Sequence, residues 1–401
     1  MTRRTTFGLG IAVVLGLLCG GVPMWRALHP PPVESARAAA LDTIPALVPE
    51  VTPSAWLTAH FAAPIAAQGP APAGWAPVEA SVKASDCSGC HVEQVAAWRT
   101  SRHAAAMGPG LTGQALEDRA GQCDRCHAPL AEQAGTTPLT AEGVTCAACH
   151  VRGWARSGPP RREGVAAVEN APHGGFTEVA DFADPAFCGT CHDFSANATP
   201  VAGKRLQETT EEWRRTPAAA AGKTCQTCHL PDRAHTFAGV HDAELVRSAF
   251  TAEAKFITDG GLIVGRLRVT ATDAVGHRLP TYTTAELWLT VDQLDRDGLL
   301  LDGTHQEAVI GRRLSPDNRE ELFDTRLFPG ETHDLAYTAD LEPECSALLA
   351  RVEVRPEAAY ERHYADWIDA EKGDVAALGK ALEAAKAARF VAWQERVVLP
   401  E

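Results

Sequence analysis

Positive charge, aromatic side chains and methionine are all scarce in this chain. Lysine and arginine number 37 against 51 aspartates and glutamates, leaving a formal charge of -14. Nucleic acid and acidic surfaces are therefore poor candidates for the main partner, and a cationic or neutral protein face suits the chain better. Aromatic residues make up 6% of the sequence, too few for an aliphatic-aromatic core along a chain of 401 residues, a length that ordinarily divides into two domains. Something other than side chains must fill part of the interior. The 3 methionines are Met1, Met24 and Met107, a scarcity whose meaning depends on the motifs below.

An uncharged run from Phe7 to Trp25 follows Arg3 and Arg4 and reads as an export signal. The mature protein is then expected in the periplasm or another extracytoplasmic space. The run is also about long enough to span a bilayer, and small residues suited to cleavage come only near Ala36 to Ala40. Residues 1–30 are therefore read as either a signal peptide or a retained N-terminal membrane anchor.

Texture changes divide the rest of the chain. Residues 31–82 are rich in Pro and Ala, with Trp56, Phe61 and Trp75 as scattered anchors, and read as a linker or strap. Residues 83–246 hold recurrent cysteine-histidine clusters, with Gly and Pro interrupting every apolar stretch. Over 247–355, runs such as Leu262, Val264, Leu267, Val269 and Leu287, Leu289, Val291 have a period near two, between turns such as Asp259-Gly260-Gly261, and predict an antiparallel β-sandwich. Residues 356–401 are rich in Ala, Glu, Lys and Leu, with Val375, Leu378, Leu382 and Ala385 at helical spacing, which predicts one or two closing helices. The expected fold is multidomain: an irregular, mainly α domain over 83–246, the β-sandwich, then a C-terminal helical segment.

The clusters in 83–246 are five copies of C-x-x-C-H: Cys87, Cys90 and His91; Cys123, Cys126 and His127; Cys146, Cys149 and His150; Cys188, Cys191 and His192; Cys225, Cys228 and His229. Two thiols three positions apart reach the two vinyl groups of one haem, and the histidine that follows approaches the iron from the proximal side. Disulfides or zinc sites would explain the cysteine pairs but not a histidine directly after each one. The reading is five covalently attached haems c, with the macrocycles themselves supplying the core that the side chains cannot.

Of 15 histidines, those outside the motifs include candidates for the sixth iron ligand. His103 lies in Trp98-Arg99-Thr100-Ser101-Arg102-His103, a short helix-like segment after the first motif. His235 and His241 follow the fifth motif too closely to leave the haem cluster. His173 sits on a Gly-rich loop, His277 on a loop between two predicted strands, and His60 in the strap. Five distal ligands are needed and six candidates are present. Methionine ligation raises a haem's potential, so the shortage of methionine points to a chain of low-potential, mostly bis-His haems. Arg152, Arg156, Arg161 and Arg162 form a basic stretch suited to pairing with haem propionates.

The run from Cys87 through Trp98, Ser101 and His103 to Met107, together with the five motifs, resembles the cytochrome c-554 family of multihaem cytochromes over roughly residues 80–242. Gly276-His277-Arg278-Leu279-Pro280-Thr281 and Phe328-Pro329-Gly330-Glu331 resemble the β-rich extension of some multihaem cytochromes. The resemblance implies His103 as a distal ligand, haems stacked in parallel or perpendicular pairs, and periplasmic electron transfer. The fifth motif and the appended β-rich region depart from the founding tetrahaem pattern of that family, so no specific donor or acceptor is carried over.

The expectation is a carrier that passes electrons through its haems between redox partner proteins, a donor and an acceptor. The alternative is a multihaem oxidoreductase acting on a small nitrogen or sulfur compound at a five-coordinate haem. That alternative requires one iron without a sixth ligand and acid-base groups beside it.

Overall fold

A computed structural model describes residues 44–63, 65–108, 123–135, 138–194 and 198–399. The segment 1–30 and the first part of the strap lie outside the described residues. Among those described, no helix is long and apolar enough to cross a membrane. Residues 44–401 form one compact unit, and the expected boundaries at 246/247 and 355/356 fall inside it.

Each C-x-x-C-H motif folds as about one turn of helix. Asp124–His127, Cys146–His150 and Cys225–His229 are such turns, the fourth motif ends the helix Pro185–His192, and the first bridges Ala84–Cys87 and Val92–Arg99. The N–H of His91 donates to the carbonyl of Cys87 at 2.9 Å and that of His127 to Cys123 at 3.1 Å, the i to i+4 bond of a helix. Positions i, i+3 and i+4 share one helix face, so both thiols and the imidazole of a motif turn to the same side. Asp184 starts the helix Pro185–His192 by accepting from the N–H of Ala186, with Pro185 at its first position, where a missing N–H costs nothing.

The described part of the strap packs against these turns. Ser54 caps the helix Ala55–His60 by accepting from Leu57 N at 3.0 Å. Ile65 pairs with Leu130, and Ile65, Val82, Leu130, Ala147 and Val151 form a small apolar cluster.

From Phe250 onward the chain is mainly strand. Thr332–Asp340, Leu262–Ala271 and Phe250–Asp259 form a three-stranded antiparallel sheet in that order, and Phe390–Val397, Ala347–Arg355, Glu286–Leu294 and Gln306–Ile310 form a four-stranded one. Both sheets contribute to a single core that includes Ile263, Leu267, Val269, Leu287, Leu289, Val291, Leu348 and Val352. The strand Leu262–Ala271 corrects one detail of the expected pattern. Ile263, Leu267, Val269 and Ala271 are its buried residues, whereas Leu262 and Val264 are exposed, because the inward positions are the odd-numbered ones. Between them, Gly265 sits opposite Phe256, and a Cβ there would come 2.1 Å from the carbonyl oxygen of Lys255 and 2.5 Å from the Phe256 ring. A glycine is the residue that lets this ring fold over the strand.

The C-terminal segment differs from the expected run of helices. Ala358–Asp369 and Val375–Ala387 pack together through Tyr364, Leu378 and Ala385, but Phe390–Val397 is a strand that pairs with Ala347–Arg355. The helix-forming composition ends near Arg389, and the aromatic and β-branched residues that follow complete the sheet instead.

The loop 272–285 links one sheet to the other and positions the site. Its Leu279 exchanges backbone hydrogen bonds with Leu327 at 2.8 and 3.1 Å. Glu212, on the helix Thr209–Trp213, accepts from the N–H of Arg278 at 3.2 Å and from the hydroxyl of Thr281 at 2.6 Å. The other Glu212 oxygen meets Arg326 at 2.9 Å, and Arg326 also pairs with Asp324, which pairs with Lys204. All five of these charged groups, Lys204, Glu212, Arg278, Asp324 and Arg326, are buried. The network ties the motif-bearing helices to the β-rich part.

Candidate haem-binding site

All five motifs line one continuous cavity of about 1860 Å³. Within and beside it, four of the five motif histidines face a second histidine: His91 and His173 with ring centres 6.4 Å apart, His150 and His235 at 6.3 Å, His192 and His103 at 6.1 Å, and His229 and His277 at 6.1 Å. A metal bonded at about 2 Å to one nitrogen of each ring puts the ring centres about 6 Å apart. These spacings therefore fit an iron between each pair.

The outward nitrogens are tied down as axial ligands require. The Nδ1–H groups of His127, His150 and His229 donate to the carbonyls of Ala106, Ser157 and Ala238 at 2.8, 2.8 and 2.5 Å. Those of His173, His235 and His277 donate to Gly175, Arg233 and Arg278 at 3.1, 2.9 and 2.7 Å. Such bonds fix the tautomer and leave Nε2 free to bind metal. His192 differs, for its Nδ1 is hydrogen-bonded to the hydroxyl of Tyr282.

Burial keeps several of these rings neutral, the form an iron binds. It pulls His103, His150 and His277 down to about 4, and His192 to about 3. Neighbouring imidazoles add to the effect: His127 on His103, His235 on His150, His229 on His277, and His103 on His192.

The cysteines show which motifs are neighbours. Cys87 lies beside Cys146, Cys126 beside Cys191, and Cys188 beside Cys225. Cys149 lies near both Cys188 and Cys191. Among the described residues the cysteines are free thiols, and no cluster of three or more His, Cys, Asp or Glu is placed to hold a bare metal ion. The residues fit thioether-bound macrocycles better than disulfides or zinc.

Two expected distal candidates stand elsewhere. His60 is buried, stacks on Trp56 with ring centres 4.2 Å apart and bonds the carbonyl of Cys149 through Nε2 at 2.8 Å, so the nitrogen that would bind iron is already engaged. His241 points Nε2 at Glu357, 3.1 Å away, and Glu357 is also paired with Arg102. His127 faces no second histidine among the described residues. The group of Arg102, His241 and Glu357 includes Tyr360, which lies near Glu357, Arg102 and Cys123, the last belonging to the motif of His127.

The arginines of the stretch expected to pair with propionates make these protein contacts. Arg152 donates to the carbonyls of His60, Ala147, Ala148 and Val151, Arg156 to those of Trp154 and Glu79, and Arg162 to that of Asp232. Arg161 pairs with Glu178. Tyr282, by contrast, escaped sequence reasoning. The one available signal was its place five residues after His277, in a chain with 4 tyrosines.

Residues 86–151 match the family described as cytochrome c554 and c-prime. The fold is similar to that of a penta-heme cytochrome c552 from Thermochromatium tepidum, with a TM-score of 0.57 at 18% identity, over 80% of this chain and 100% of that chain. No curated protein matches the chain.

Proposed function

We propose that this chain, a multihaem c-type cytochrome, carries five haems, at least four of them bis-His, and passes electrons between partner proteins outside the cytoplasm. The observation that carries the reading is the set of four facing histidine pairs at 6.1 to 6.4 Å. Bound haem supplies an iron that alternates between ferric and ferrous by one electron. The chain's own residues attach the macrocycles, fix the imidazoles through their outer hydrogen bonds and hold the groups close together. Iron with a full ligand set exchanges electrons without binding substrate, and imidazole pairs keep the potential low. The ligands proposed are His173 for the iron of His91, His235 for His150, His103 for His192 and His277 for His229. The surplus of negative charge suits donor and acceptor proteins with basic or neutral docking faces.

A second reading, reaction at one iron, is favoured by a specific observation. His127 faces no histidine among the described residues, and Tyr360, which lies near Cys123, belongs to a group with Arg102, His241 and Glu357. Those side chains are the acid-base company that an open iron would need.

Spectroscopy of the oxidised protein separates the two, with haem counted per chain. Five haems with at least four low-spin bis-His signals support electron transfer. A haem count below four, or potentials all strongly positive, would sink that reading. One high-spin component that binds cyanide or nitric oxide supports the second.

A further inference from the structure

We infer that Tyr282 sets the redox level of the haem carried by Cys188, Cys191 and His192 apart from its neighbours, at the point where the electron path branches. The inference rests on the electron-transfer reading and deepens it.

The branch follows from the placement of the thiols. Cys191 lies beside Cys126, Cys188 beside Cys225, and Cys149 near both Cys188 and Cys191. The fourth motif thus adjoins the second, third and fifth. Cys87, in the first motif, lies beside Cys146 in the third. An electron moving from the pair of the first and third motifs to either the second or the fifth passes the fourth. At each exchange one electron leaves one iron as the next gains it, and no proton need move.

At this junction the outer hydrogen bond is of a different kind. Six axial histidines donate Nδ1–H to peptide carbonyls, whereas His192 meets the phenol of Tyr282. With iron on Nε2, Nδ1 keeps its proton and the phenol oxygen is the acceptor. A phenol oxygen draws less on that proton than a peptide carbonyl, so the His192 ring carries less negative charge and stabilises ferric iron less. Outer hydrogen bonds of this sort are a recognised control on a haem's potential. The junction haem is therefore held above the bis-His haems whose rings donate to carbonyls, and it is where an arriving electron rests. Tyr282 also interacts with Thr209, whose hydroxyl lies 3.1 Å from that of Thr281, so the phenol is itself held in place. It is a positioning and tuning residue, with no contact to substrate.

Spectropotentiometric titration of the haem-loaded Tyr282→Phe protein tests this. Phenylalanine keeps the ring and removes the acceptor, so the Nδ1–H of His192 loses its partner and one midpoint potential rises. The expected change is about tenfold in the oxidised-to-reduced ratio of a single haem at fixed ambient potential, or about 59 mV for one electron. The other components stay in place and the low-spin count is unchanged. Unaltered midpoints in all components would overturn the inference, as would a change spread evenly over them. Conversion of one haem to high spin would also overturn it, by making Tyr282 a steric support. Failure of the underlying reading shows up separately, as missing bis-His signals in the unsubstituted protein.

Discussion

At the scale of single residues, the site turns on which nitrogen of each histidine is already engaged. The ring of His277 lies 6.1 Å from that of His229, and its Nδ1 is tied to the carbonyl of Arg278. Replacement by methionine is expected to leave that haem low-spin while raising its potential, and replacement by alanine to leave one haem high-spin; electron paramagnetic resonance with a redox titration reads both. His60 makes the contrasting case. Its Nε2 is bonded to the carbonyl of Cys149, so His60→Phe is expected to preserve the low-spin count. Spectra that lose a low-spin haem would return His60 to the ligand set. Sequence alone put both residues among six candidates, because spacing says which histidines can reach an iron. Only placement says which nitrogen faces it.

Asp324 contributes at the same scale through pH. Burial pushes its carboxyl up, but Arg326, Lys204 and Arg278 outweigh burial and hold it well below the usual carboxylate range. A carboxyl whose folded-state value lies below its unfolded value of about 4 stabilises the protein above that pH, and the contribution is lost as pH falls toward the folded value. Asp324→Asn is therefore expected to lower stability most near neutral pH. The gap to the unsubstituted protein should shrink below about pH 4 in equilibrium unfolding; a gap that widened on acidification would contradict the assignment.

At the scale of elements, the helical turns of the motifs were legible because i, i+3 and i+4 must share a face for one haem to be attached. The β-rich part was legible from its alternation, but its phase was not. Leu262 and Val264 fall on the outward face, since an apolar residue at a strand end looks the same from either side in sequence. The strand Phe390–Val397 was hidden by the Ala- and Lys-rich helix before it. Gly265 shows how tightly the phase is fixed. Gly265→Val would drive a side chain into Lys255 and Phe256, and a loss of about 1–3 kcal/mol is expected for overpacking of this kind. Denaturant unfolding measures it, with haem absorption confirming that attachment is intact.

For the whole molecule, the decisive element is the buried charge network at the join. Glu212 lies on the short helix Thr209–Trp213, between the fourth and fifth motifs, while Arg278 and Arg326 belong to the β-rich part. Removing one member leaves its partners charged and buried, at a cost of about 3–5 kcal/mol. Glu212→Ala is expected to show that loss in chemical denaturation, and also to loosen the loop that bears His277, visible as a broadened low-spin signal. A loss of stability with every haem signal untouched would confine Glu212 to holding the two parts together. None of this network could be read in advance, since its members are scattered from Lys204 to Arg326 and each looks like an ordinary surface charge.

The loop 272–285 has a consequence for how the protein is made. All five attachment motifs have been synthesised by residue 229, yet His277 and Tyr282 belong to a loop whose sheets are completed by residues 390–397. On the proposed reading, a nascent chain can therefore be complete in its thioether bonds while the haems of His192 and His229 still lack their final surroundings. On the same reading, a chain ended before the strand Phe390–Val397 would keep every attachment motif and still lack the completed sheet beside the loop that bears His277 and Tyr282.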